Sequence, residues 1–492
     1  MLDPDIVKLA VELDGLPLAL ATAGAYLDQT ALSFSDYLRL YKESWVNLLK
    51  TSPELSSYED RTLYSTWQLS FDHVKQRNEL SAKLLRFWAY FDNQDIWYEL
   101  LLHGDSEDPE WIHELTKDEL IFNGAIRVLS DHGLVEADMS LQERVESRGY
   151  SIHGCVHSWV VNVLNQEWDS DLAKLALKFV GSHVPGTESA KWWLTQRRLL
   201  QHAARCWHAV LNGIVTDSGV EYELNGLGIL YANQGKLDEA EKMYQRALQG
   251  YEKAWGPDHT STLDTVHNLG ILYADQGKLD EAEKMYQRAL QGKEKAWGPD
   301  HTSTLDTVNN LGLLYADQGK LDEAEKMYQR ALQGKEKAWG PDHTSTLDTV
   351  NNLGTLYAGQ GKLDEAEKMY QRALQGKEKA WGPDHTSTLG TVNNLGLLYA
   401  DQGKLDEAEK MYQRALQGYE KALGLENVAR YRPALTTVCN LGKLFAAQGH
   451  LDEAKEMFSR AYTGFQGLLG SSSDACQYIE HRIASLDTTQ GK

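Results

Sequence analysis

The sequence predicts a mostly all-α fold in which small helical modules, one of them with a short β-wing, precede an α-solenoid of about six 42-residue repeats. Three observations carry that prediction. The segment LDEAEKMYQRALQG recurs at Leu237, Leu279, Leu321, Leu363 and Leu405, 42 residues apart each time. A sixth, more divergent copy, LDEAKEMFSRAYTG, starts at Leu451 after a four-residue insertion within Leu423–Leu435. Upstream of the repeats the apolar spacing is helical except around residues 133–153. A fixed period of this length means stacked units, none of which can bury its apolar face alone.

From the N-terminus, residues 1–60 read as helical, with Asp14-Gly15-Leu16-Pro17 as a turn before an apolar helix. Residues 61–165 read as two helices, a longer helical region and a β-wing. The wing candidates are Gly133–Ala137 and Gly149–His153, separated by the polar stretch Asp138–Arg148. Residues 166–218 read as a helical bridge, 219–468 as the repeat superhelix, and 469–492 as a capping helix with its tail.

One central unit shows why each repeat is a helix pair. Leu305, Val308, Leu311, Gly312 and Tyr315 follow helical spacing and form the first buried stripe. Ser303 with Asp306 predicts a capping box at its start. Gly319 suits the left-handed position after its end. Asp322 and Glu323 sit where the positive end of a second helix favours acids. Ala324, Tyr328, Ala331 and Leu332 make the second stripe, and Trp339-Gly340-Pro341 ends it.

Leu311-Gly312-x-x-Tyr315 followed by Ala324, Tyr328 and Ala331 resembles the tetratricopeptide pattern. The 42-residue period and the WGPDHT linker resemble its kinesin-light-chain variant. The resemblance implies a superhelix whose first helices line a concave groove for a protein or peptide.

The copies differ at few positions: His267/Asn309, Ile271/Leu313, Leu313/Thr355, Asp317/Gly359, Asp348/Gly390 and Lys377/Tyr419 among them. In the central unit, Asp306, Asn309, Leu313 and Asp317 are spaced 3, 4 and 4 residues apart, one face of one helix distinct from the core stripe. In the family fold that face is the groove wall. The expected groove residues are Asn225, Ile229, Asn233, Asp264, His267, Ile271, Asp275, Asp306, Asn309, Leu313, Asp317, Asp348, Asn351, Thr355, Asn393, Leu397 and Asp401. The first asparagine of each pair is the expected ligand contact. The second (Asn310, Asn352, Asn394) is expected to face the neighbouring repeat. The aspartates predict an acidic groove, and Ile271, Leu313 and Leu397 add apolar surface, so the expected ligand is both apolar and basic. The lysines of the second helix read as solvent-exposed. The repeated His259, His301, His343 and His385 read as linker or capping groups rather than metal ligands, which must converge on one ion.

Three N-terminal segments, in order, resemble the C-terminal part of an NB-ARC-type signalling ATPase of the NLR kind. They are Gly15-Leu16-Pro17-Leu18 (GLPL-like), Leu69-Ser70-Phe71-Asp72 at the start of a winged helix, and Ile152-His153-Gly154 (MHD-like). The resemblance implies that Pro17 packs near an adenine and that His153 contacts nucleotide phosphates. As a plain sequence, Pro17 is a helix starter and His153 a half-buried residue ending a strand. Gly154 stands where the family has an acid. No G-x-x-x-x-G-K-[ST] occurs, and the Gly-Lys pairs of the repeats are followed by Leu or Glu, so nothing supplies the phosphate cradle and the Mg²⁺ hydroxyl. The sequence contains no G-x-S-x-G, H-E-x-x-H or zinc-type Cys/His cluster, and no enzyme is expected.

Composition narrows the partners. With 71 acidic and 49 basic residues the 492-residue chain has a formal charge of −22. Residues 61–165 alone carry 17 acids against nine bases, which disfavours DNA on the winged module. Neither nucleic acid nor a membrane is an expected partner. The four cysteines form no close pair, the start MLDPDIVKLA lacks a signal peptide's basic residues, and the expected location is the cytoplasm. The expected function is the regulatory and sensor half of an NLR-like signal-transduction ATPase lacking its P-loop domain. The alternative is a stand-alone kinesin-light-chain-like cargo or scaffold adaptor. No cofactor is expected; ADP or ATP would enter only with an upstream nucleotide-binding domain.

Overall fold

A computed structural model describes residues 4–13, 16–30, 32–51, 58–102, 108–138, 146–186, 189, 192–216, 218–471 and 473–490. They fall into two compact units, Met1–Leu230 and Tyr231–Lys492. Both are helical, apart from one two-stranded ladder among the described residues.

In the first unit, α1 (Pro4–Glu12), α2 (Pro17–Thr30), α3 (Phe34–Thr51) and α4 (Tyr58–Arg77) share a core of Leu9, Leu13, Ala19, Ala23, Tyr26, Tyr37, Tyr41 and Leu69. The expected boundary at residue 60 therefore lies inside α4. Next come α5 (Glu79–Trp88), α6 (Glu110–Leu115) and α7 (Glu119–Asp131). Asn78 caps α5, its Oδ1 accepting from the Ser81 N–H at 3.1 Å, and Asp118 caps α7 through Ile121 N–H at 2.8 Å. Strands β1 (Glu136–Ala137) and β2 (Tyr150–Ser151) pair antiparallel inside the two segments expected to form the wing.

After β2 come α8 (Gly154–Trp159), a π-helical turn (Val160–Leu164), α9 (Ser170–Ser182), α10 (Trp192–Leu211) and α11 (Glu221–Asn233). Arg198 of α10 holds Asp95 with two parallel bonds, Nε to Oδ2 and Nη2 to Oδ1, each 2.9 Å. This bidentate geometry fixes direction as well as distance. Helices α9 and α11 cross at two glycines: a side chain on Gly226 would lie 2.3 Å from the Gly181 carbonyl.

The second unit continues with α12 (Leu237–Trp255), α13 (Thr260–Asp275), α14 (Leu279–Trp297), α15 (Thr302–Asp317), α16 (Leu321–Trp339), α17 (Thr344–Gly359), α18 (Leu363–Trp381), α19 (Thr386–Asp401) and α20 (Leu405–Leu423). The insertion forms the short α21 (Leu425–Val428), followed by α22 (Arg432–Gln448), α23 (Leu451–Leu469) and the closing α24 (Asp474–Gln490). The repeat solenoid is thus present with the expected period.

The expected stripes are the core. Leu305, Val308, Leu311, Ala324, Tyr328 and Ala331 are buried, whereas Tyr315 and Leu332 are only partly so. Gly319 takes φ +75° and Gly340 φ +92°, conformations that a side chain would strain. The expected capping box is absent. His301 is the N-cap, its Nδ1 accepting from Ser303 N–H at 3.2 Å, and His259, His343 and His385 do the same in their units. The linker turns the imidazole toward the helix end, and the Trp339 ring stacks on His343 at 4.6 Å.

Each unit is also bonded to the one before it. Arg330 Nη2 lies 2.6 Å from Glu294 Oε1, Lys337 Nζ 3.0 Å from Asp300 Oδ2, and Gln318 and Lys320 reach Glu283 Oε2 at 3.0 and 3.2 Å. The Gln318 and Lys320 donors hold the Glu283 carboxyl below its ordinary range. Exposed pairs of this kind contribute little singly.

Within a unit, the helices touch where Gly312 faces Tyr328. A Cβ on Gly312 would lie 2.8 Å from Tyr328 Cδ1. Gly312→Ala should therefore cost about 1–3 kcal/mol through overpacking. Gly359→Ala, at a helical position with open space around it, should be neutral or stabilising. Urea unfolding midpoints of the two variants check the contrast; equal midpoints would sink it.

Candidate functional site

The first helices of successive units, α13, α15, α17 and α19, present the expected variable face. The structure divides that face into two halves with different jobs.

The half nearer the N-terminal ends of these helices is bonded to neighbouring helices. Asp264, Asp306 and Asp348 were expected to acidify the groove. Instead each pairs with a lysine of the second helix: Lys293 at 2.8 Å, Lys335 at 2.8 Å and Lys377 at 2.7 Å. Those lysines, expected in solvent, are only 2–4% exposed. Their aliphatic stems pack inside the unit and their ammonium groups need the carboxylate, because an unpaired buried charge is costly. Lys377 Nζ also donates to Ser387 Oγ at 2.9 Å in the next unit.

The pairs explain two of the differences between copies as one event. Where Asp348 becomes Gly390, Lys377 becomes Tyr419. Tyr419 is fully buried and its hydroxyl donates to the Thr386 carbonyl at 3.4 Å. Gly390 leaves room beside the Tyr419 hydroxyl, 3.9 Å from where a Cβ would stand, and the buried lysine that needed the carboxylate is gone. The joint change was legible in the sequence and marks the contact.

The asparagines come next along the helix. Asn352 Nδ2 donates to Asn309 Oδ1 and Asn394 Nδ2 to Asn351 Oδ1, both at 3.4 Å; Asn440 Nδ2 donates to Asn393 Oδ1 at 3.2 Å. The second asparagine of each pair does face the neighbouring repeat. Its partner there is the first, so Asn309 is not the freely available contact expected of it. It is buried and gives its own Nδ2 to Asn310. His267 replaces it one unit earlier, between Thr307 Oγ1 at 3.0 Å and Asn310 Nδ2 at 3.2 Å. Burial, helped by the Lys293 charge, pushes this imidazole down to about 3, so it is neutral in the groove wall.

The half nearer the C-terminal ends is open. Ile271, Leu313 and Leu397 are 39%, 46% and 44% exposed, and Thr355 is exposed at the same position of α17. One turn further stand Asp275, Asp317 and Asp401. Asp317 and Asp401 have no ion-pair or hydrogen-bond partner among the described residues. Burial raises the carboxyl pKa of Asp275 and of Asp317, although Arg432 pulls Asp275 the other way. Asn225 and Ile229 belong to the first compact unit, and Asn233 lies exposed near the end of α11.

Of the two residues carried over from the NB-ARC resemblance, Pro17 opens α2 and Gly15 lies outside the described residues. His153 does not end a strand half-buried: it is exposed and caps α8, its Nδ1 accepting from Cys155 N–H at 3.3 Å. The four cysteines are free thiols. No described helix is long and apolar enough to cross a membrane.

A tetratricopeptide repeat model matches residues 222–295, 301–379, 345–421 and 387–467. The second unit is a tetratricopeptide-repeat array. A nucleotide-binding leucine-rich repeat (NLR)-like protein of Hyaloscypha variabilis is 29% identical over 284 residues, 54% of this chain; the chain spans 26% of that relative's length. Among solved structures, a STAND (signal transduction ATPase with numerous domains) protein of Pyrococcus horikoshii with a tetratricopeptide repeat sensor superposes with TM-score 0.46. It is 15% identical, over 97% of this chain and 70% of its own. A kinesin-light-chain-type protein of Podosopora anserina with nearly identical TPR-like repeats has TM-score 0.35 and 22% identity, over 40% of this chain and 93% of its own.

The paired lysines give a stability test. Asp306→Ala, which leaves Lys335 buried without its carboxylate, should cost about 1–3 kcal/mol, discounted because Asp306 is half exposed. Asp306→Gly combined with Lys335→Tyr, the combination found at Gly390 and Tyr419, should cost less than Asp306→Gly alone. A double-mutant cycle by thermal unfolding reads this directly, and strict additivity would refute the coupling.

Proposed function

We propose that the chain is the ligand-sensing and regulatory part of an NLR-like signalling ATPase, its repeat groove binding a protein or peptide. The supporting observation is the open half of the first-helix face. There, exposed aliphatic side chains are each followed one turn later by a carboxylate, and Asp317 and Asp401 lack a countercharge. A folded monomer gains nothing from that arrangement: the aliphatics stay in water, and the raised pKa of Asp317 records a cost of keeping its charge. A basic, apolar ligand removes both penalties. The relative from Hyaloscypha variabilis supports the NLR-like context. In that context Pro17 and His153 would face a nucleotide held by a separate P-loop domain.

Panning a random 12-residue phage-displayed library on the purified chain should enrich peptides carrying Lys or Arg beside aliphatic residues. The triple variant Leu313→Ala, Asp317→Asn, Leu397→Ala should bind them at least tenfold more weakly, with a Tm within about 3 °C of the parent. Equal affinity for the enriched peptides would remove the groove from the proposal. The pH dependence has a definite sign. Burial raises the pKa values of Asp275 and Asp317, so they take up protons at a higher pH than an ordinary aspartate, and affinity for a cationic peptide falls as pH is lowered through that range. The same groups, better protonated folded than unfolded, favour the free fold at low pH and cease to do so as pH rises through their folded values.

A further inference from the structure

We infer that the groove reads a gapped peptide: an extended chain with apolar–basic pairs on two adjacent rungs, a small neutral stretch on the third, and another pair on the fourth. This rests on the groove reading above and gives its ligand a pattern.

The rungs are unequal although their units are nearly identical. The α13 rung offers Ile271 and Asp275, the α15 rung Leu313 and Asp317, and the α19 rung Leu397 and Asp401. The α17 rung, between the last two, offers Thr355 and Gly359 and so loses both the aliphatic side chain and the charge. Thr355 is engaged by its own unit. Its Oγ1 donates to the Asn351 carbonyl at 3.3 Å and accepts from the Tyr370 hydroxyl at 3.0 Å. Those two changes, Leu313/Thr355 and Asp317/Gly359, are the whole difference between two adjacent 42-residue units. Nothing in the packing requires them: Gly359 is exposed with open space around it, and Leu at the equivalent position 313 is tolerated one unit earlier.

The polar atoms beside the rungs select an extended chain. Asn351 and Asn393 give their Oδ1 atoms to the next unit, and their Nδ2 groups have no partner among the described residues. The groove wall thus offers amide donors, which suit main-chain carbonyls. A helical ligand has already used its carbonyls within itself; an extended one has not. The bond from Asn352 to Asn309 shows that adjoining first helices touch, so neighbouring rungs lie about 10 Å apart. An extended chain at about 3.3 Å per residue covers one rung in about three residues. Pairs therefore fall at about positions 1, 4 and 10 of the ligand, or 1, 7 and 10 if it runs the other way.

The test uses three fluorescein-labelled peptides of one composition. Each carries three Leu-Lys pairs in a Gly-Ser background, starting at positions 1, 4 and 10, at 1, 7 and 10, or at 1, 4 and 7. Fluorescence polarisation gives Kd for each. One gapped peptide should bind the wild-type chain at least fivefold more tightly than the ungapped one. Thr355→Leu with Gly359→Asp, which copies the adjoining unit and so keeps its fold, should tighten the ungapped peptide at least fivefold and erase the preference. Equal Kd for all three peptides on the wild-type chain, or a preference unmoved by the double variant, overturns the gapped pattern while leaving the groove in place. Absence of saturable binding by every peptide overturns the groove reading as well.

Discussion

The repeat array depends on one close contact, between the bare Cα of Gly312 and the ring of Tyr328, copied at Gly270 and Tyr286, Gly354 and Tyr370, and Gly396 and Tyr412. Along the same second helix Ala324 and Ala331 are fully buried, Ala324 in a cluster with Leu353 and Leu356 of the next unit. A buried ring is worth roughly 1.5–3 kcal/mol, and it is collected once per unit, so stability grows with copy number rather than residing in one central core. The first helices then adjoin closely enough for asparagine side chains to bridge them. The groove face follows from that spacing.

Much of this was legible in sequence because it is periodic. The 42-residue spacing, the two apolar stripes and the glycines after each helix set the helix pairs without reference to anything distant. The part that was not legible is what a long flexible side chain does. Lys335 looks like a surface residue in a helical-wheel reading, yet its stem lies in the unit and its ammonium meets Asp306 across the helix pair. Helical phase places a Cβ; it does not place an ammonium four bonds further out. The capping box at Ser303 failed for a similar reason. Gly298 at φ +93° and the linker after it swing His301 onto the helix end first, an outcome that follows from loop geometry rather than from residue preference.

The internal ion pairs change what the groove is. Three of its six aspartates are neutralised internally and belong to the wall. The acidity that a ligand meets is confined to the C-terminal ends of α13, α15 and α19, beside exposed aliphatic side chains. The Ile271/Leu313, Leu313/Thr355 and Asp317/Gly359 differences sit on that strip, the His267/Asn309 difference sits in the bonded half, and the Asp348/Gly390 and Lys377/Tyr419 changes are one structural exchange. In the N-terminal unit, His153 likewise has a local task, capping α8, that sequence alone had not assigned to it.

The near-identity of the seams has a consequence for how the chain reaches this state. The residues joining α15 to α14 are the same as those joining α17 to α16, so a helix pair in the unfolded chain matches several neighbours equally well. Local interactions cannot tell these dockings apart; only the short linkers, which bring the sequence neighbour nearest, favour the correct one. Out-of-order docking, within a chain or between chains at high concentration, is the expected misfolding route. The ends differ from the middle: Tyr251 stands where the central units have Lys293, Lys335 and Lys377, and Tyr419 with α21 marks the other end, so these act as bookmarks that limit how far the register can slip.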